Sequence, residues 1–74
     1  MDAEVINGEL REIDRQINRH RSLSSKHSLA GDRFLVEYHE CCIDNLFERR
    51  RTINQYAISL RENARTTATK SFQN

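Results

Sequence analysis

Residues 32–64 read DRFLVEYHECCIDNLFERRRTINQYAISLRENA, a run with neither proline nor glycine. Its apolar residues fall in two stripes. Leu35, Cys42, Leu46, Ile53, Tyr56 and Leu60 step mostly by three, four or seven, and Val36, Ile43, Phe47 and Ile58 step by seven, four and eleven. At about 100° per residue the two stripes point about 100° apart around a single helix. A helix with two apolar sides needs two neighbours, and the rest of the chain has material for one. Self-association is therefore the first expectation.

Working outward, Ile6, Leu10, Ile13 and Ile17 follow a four-three-four spacing, with His20 next on the same face, so a first helix is expected over about residues 3–24. Asp2 suits its cap, and Glu4 and Glu9 lie near the positive end of its dipole. Gly8 weakens the first turns by roughly 1 kcal/mol relative to alanine. The serines, His27 and Gly31 mark the turn, placed at about residues 25–31. Asp32 is the expected N-cap of the long helix, with Ser28 as competitor. Residues 1–65 thus form one helical hairpin domain, followed by a polar tail over residues 66–74 that reads as flexible, with Phe72 its one large apolar residue.

Folded antiparallel, the helices find a consistent register. The numbers of Ile6 and Ile53, Ile13 and Leu46, Ile17 and Cys42, and His20 and His39 all add to 59. That is a hairpin seam near coiled-coil spacing, with Leu10 facing Arg49 and Ser24 facing Leu35 as its flaws. Tyr56, Ala57, Ile58 and Leu60 overhang the first helix in this register, and the Val36–Ile43–Phe47–Ile58 stripe stays uncovered. A second copy running antiparallel covers both, giving a four-helix-bundle homodimer in an all-α fold. Glu37, Glu40, Asp44 and Glu48 precede Arg49, Arg50, Arg51, Arg61 and Arg65, so head-to-tail long helices oppose acid to arginine.

Composition narrows the classes. Seventy-four residues make one small domain whose core is marginal without a staple or a partner. The two cysteines are adjacent, at Cys41 and Cys42, which is no secreted disulfide framework and suggests a reducing cytoplasm. No signal peptide or apolar run of membrane-spanning length is read from the chain. A net charge of +1 argues against a strongly basic clamp, although ten of the twelve cations are arginine, which favours interfaces.

The segment His39-Glu40-Cys41-Cys42 is the most chemical in the chain. His39 and Cys42 are spaced to reach one metal, with His20 opposite. The H-E-x-x-H pattern fails at Ile43 and no fourth ligand is in view, so no metal, cofactor or catalytic residue is expected. Packing of His39 and Cys42 as semi-polar core residues is the plainer reading. A His20–His39 pair would also loosen the hairpin below about pH 6.

Arg11, Arg15 and Arg19 form a ladder pointing away from the apolar face, a ridge suited to phosphates. Glu12 and Asp14 beside it, and the absence of interleaved aromatics, favour a solvated face instead. Arg49, Arg50 and Arg51 point in three directions on a helix and make no single patch. The expectation is a non-enzymatic helical interaction protein, a regulator or accessory factor of bacterial or phage type, that presents a helix to a protein partner. Its surface is Val36, Ile43, Phe47, Arg50 and Ile58, for a second copy or another protein. Nucleic-acid binding through Arg11, Arg15 and Arg19 is the alternative, and no membrane association is expected.

Overall fold

The computed structural model describes residues 3–72, with side chains described for residues 3–65. Two helices account for nearly all of it: α1 spans Ala3–Leu29 and α2 spans Arg33–Phe72. They pack against each other as a hairpin. At 1.5 Å rise per residue they are about 40 and 60 Å long. The molecule is accordingly a rod, 66 × 17 × 13 Å, with a radius of gyration of 18.5 Å. A compact globule of this length would have a radius of about 11 Å. Among the described residues no helix is long and apolar enough to cross a membrane.

The connection is shorter than the expected turn over residues 25–31. Helix α1 continues through the serines to Leu29, because serine costs a helix only a few tenths of a kcal/mol. Gly31 ends it, with φ at +76°. The amide of Asp32 donates to the His27 carbonyl at 2.9 Å, and the amide of Gly31 donates to the Ser28 carbonyl at 3.1 Å. These two bonds are the Schellman pattern, which satisfies the orphan carbonyls at a helix end. Asp32 then starts the next helix: its Oδ1 accepts from the Leu35 amide at 3.1 Å, and its carbonyl accepts from Val36 at 3.1 Å. One residue closes α1 and caps α2, so the chain reverses within residues 30–32. Ser28, the competing cap, is inside α1.

The far end of α2 also departs from expectation. The backbone is helical through Phe72 rather than ending near Ala64, since residues 65–72 contain no helix breaker. The Asp2 cap and the Phe72 side chain lie outside the described residues.

Ile6, Ile13 and Ile17 of α1 are buried, together with Ala57 and His39 of α2. His39 and Ala57 are eighteen residues apart, five full turns of a 3.6-residue helix, so they share one azimuth. That geometry corrects the expected first stripe. Tyr56 is 48% exposed, and Ala57 takes the inward place. The register near the turn is the expected one, with His20 against His39. Toward the open end the pairing of Arg49 with Glu9 keeps that register, and Ile6 lines a groove with Ala57 and Leu60, so the first turn of α1 reaches part of the expected overhang. A seam written at 3.5 residues drifts by about 20° per heptad around a straight helix, which turns Tyr56 outward and brings Ala57 to the inward face.

Candidate functional site

The expected surface residues divide between the seam and the outside. Val36, which shares a hollow with Ser24, Ser25 and Ser28 of α1, and Ile43 are half-buried, whereas Phe47 is 40% and Ile58 51% exposed. Phe47 is flanked by Arg21, whose guanidinium carbon lies 5.6 Å from the ring centroid. Side chains lean toward the N-terminus of their own helix. In an antiparallel pair, Arg21 and Phe47 therefore lean toward each other, a cation–π arrangement. Arg50 was expected to answer an acid on a partner copy. Instead it is half-buried, and its Nε donates to Asp14 Oδ1 of the same chain at 2.9 Å.

The three consecutive arginines each take a different acid. Besides Arg50 with Asp14, Arg49 reaches Glu9 across the hairpin at 3.3 Å, and Arg51 lies 3.7 Å from Glu48 on its own helix. All these pairs are substantially solvated, worth about 0–1 kcal/mol apiece, so they align the helices more than they hold them.

Arg11, Arg15 and Arg19 are exposed along α1. Arg15 is committed: its Nη2 and Nε donate to Glu12 Oε1 and Oε2 at 2.6 and 3.0 Å, and Gln16 Nε2 adds a bond to Oε1 at 3.1 Å. The Arg15 fork, then the Gln16 amide, hold the Glu12 carboxyl down at about 2. The middle rung of the ladder is thus already occupied by an internal anion, which weakens it as a track for phosphates.

A second cluster sits one to two turns from the hairpin tip. His39 is 7% exposed, and its Nδ1 is 2.8 Å from Nδ1 of His20. The His27 ring stacks on His39 with centroids 5.4 Å apart and planes 5° from parallel, and Tyr38 meets it edge-on at 5.2 Å. One imidazole of the 2.8 Å pair donates an N–H and the other accepts, so the two are in opposite tautomers. Burial, followed by the nearby His20 and His27, lowers the His39 pKa below its ordinary value. The adjoining hollow is lined by Arg15 and Arg19 and by no carboxylate. One turn along, the Tyr38 phenol donates to the Cys42 sulfur, which pushes the phenol pKa up.

Three imidazoles this close invite comparison with a metal centre, but their geometry is of another kind. The two Nδ1 atoms point at each other rather than at a common point, and the His27 ring lies face-on. Among the described residues no three His, Cys, Asp or Glu side chains are placed to hold a metal ion. Cys41 and Cys42 are both free thiols.

No protein-family model, curated protein or solved structure matches this chain.

Three exposed apolar residues at the tip escaped the sequence reading. Leu29 is 92%, Phe34 77% and Tyr38 55% exposed. Phe34 and Tyr38 are four apart on one side of α2, a spacing visible in the sequence but belonging to neither stripe.

Proposed function

We propose that this chain is a non-enzymatic helical interaction protein, a regulator or accessory factor that presents the outer face of α2 to a protein partner. The observation that carries the reading is the position of Phe47 and Ile58. Phe47 and Ile58 remain 40% and 51% exposed beside a hairpin whose buried apolar side chains are only Ile6, Ile13, Ile17 and Ala57 among the described residues. So small a core is marginal alone, and large apolar groups left beside it gain most by being covered. In its assembled form the chain is a homodimer paired through α2 as a four-helix bundle. The reducing cytoplasm is the compartment that suits two free, adjacent cysteines.

The partner surface centres on Phe47 and Ile58, with the half-buried Val36, Ile43 and Arg50 along the same stripe. Affinity capture with the full chain and with Phe47→Asp tests it. The wild type is expected to retain a partner that the variant loses, while circular dichroism shows equal helicity. An unchanged set of captured proteins would remove Phe47 from the site and this function with it.

A further inference from the structure

The outer face of α2 carries a second heptad pattern, which α1 touches only at its edge, where Arg21 lies over the Phe47 ring and Arg61 borders the groove beside Ile6. Glu40, Phe47, Asn54 and Arg61 step by seven, as do Asp44, Arg51, Ile58 and Arg65. Apart from the half-buried Asn54, all are exposed. Interleaved at steps of four and three, the two rows form a seam of coiled-coil type. It is acidic where it begins, apolar within, and basic where it ends. A parallel copy would set Glu40 against Glu40 and Arg61 against Arg61. An antiparallel copy sets Glu40 against Arg65, Asp44 against Arg61, Phe47 against Ile58 and Arg51 against Asn54, and in every pair the residue numbers add to 105.

We infer that a second copy of this chain docks antiparallel on this face in that register, with the two-fold axis crossing α2 between Thr52 and Ile53. The inference rests on the proposal that the chain pairs through the Phe47 face of α2, and gives that pairing its direction and register. Two-fold symmetry makes each pair occur twice, so two Phe47–Ile58 contacts are flanked on both sides by acid–arginine pairs. Among the described residues the hairpin itself leaves three of these charges, Glu40, Asp44 and Arg61, without an ion pair, whereas Asp14 and Glu9 are taken by Arg50 and Arg49 across the seam. The faces toward α1 and toward the second copy lie about 100° apart on α2, the angle at which one helix serves two neighbours in a four-helix bundle. Complementary charge of this kind selects orientation and register more than it adds affinity.

The test is sedimentation equilibrium of the full chain under reductant, with Asp44→Arg alone and with Asp44→Arg combined with Arg61→Glu. The wild type is expected at twice the 8.7 kDa chain mass. Asp44→Arg sets arginine against Arg61 at both ends and should weaken the dimer roughly tenfold or more. The double variant restores opposite charges and should return to within about threefold of wild type. A monomer at every concentration overturns the second copy as occupant. A dimer indifferent to Asp44→Arg, or not rescued by Arg61→Glu, overturns the register. The Phe47→Asp capture requires no self-association, so its result separates failure of the occupant from failure of the surface.

Discussion

At the residue scale, His39 concentrates the unusual physics of this chain. The 2.8 Å bond to His20 tolerates one added proton, since an imidazolium still donates to a neutral ring. A second proton must take the accepting nitrogen and break the bond, in a hollow lined by Arg15 and Arg19. His39 has its pKa lowered on folding, so its contribution to stability is complete above the ordinary value of 6.5 and is lost as pH falls through the folded value. Thermal melts at about pH 7.5 and about pH 5.5 should show a lower Tm in acid, and His39→Gln should flatten the difference. Equal melting temperatures in the wild type would exclude the effect. The glycines give an opposed pair of predictions. A Cβ meets nothing within 4 Å at either Gly8 or Gly31, so backbone preference decides both. Gly8→Ala, inside α1, should stabilise by about 1 kcal/mol. Gly31→Ala, at φ +76°, should destabilise by about 1–2 kcal/mol in the same denaturant titration.

At the element scale, which side of each helix faces inward is the decisive matter. Ile13, only 2% exposed, lies mid-seam, and Ile13→Ala should cost about 2–5 kcal/mol, enough to remove a cooperative melt from so small a domain. The change of inward residue from Tyr56 to Ala57 makes a sharper contrast. Ala57→Glu forces a carboxylate into the seam against Ile6 and should lower the melting temperature markedly, while Tyr56→Glu should leave it nearly unchanged. The reverse order would restore the inward face expected from spacing by sevens. Both helices, their antiparallel pairing, the Asp32 cap and the His20–His39 contact were legible in the sequence, because each follows from local spacing or capping chemistry. The early end placed on α1 was not. Serines that favour turns in isolation are carried by a helix whose inner face continues through Leu23 and His27, both half-buried.

At the scale of the whole molecule, a 66 Å rod with a thin core exposes nearly everything it could use. The choice between protein and nucleic acid falls on its two outer faces. With Arg15 held by Glu12, the protein-partner reading expects no salt-sensitive shift of structured RNA or duplex DNA in a native gel. A shift abolished by Arg11→Glu with Arg19→Glu would move the function to that ridge. The proposed site was partly legible. Phe47 and Ile58, on the stripe read as uncovered, are 40% and 51% exposed. The half-burial of Val36 and Ile43, and the capture of Arg50 by Asp14, were not readable, because they depend on how α1 lies across α2.

Two proline-free helices, the single glycine-ended reversal between them and the apolar faces that must meet follow from the order of residues alone, since these are properties of periodicity and of local backbone preference. The tertiary structure decided the azimuth that admits Ala57 and turns Tyr56 outward, the acid taken by each arginine, and the gathering of all three histidines around one buried ring. These are outcomes of contact between distant residues. A helical pattern specifies which side is apolar, and only the partner helix, by its crossing and its drift, selects which residues of that side are enclosed.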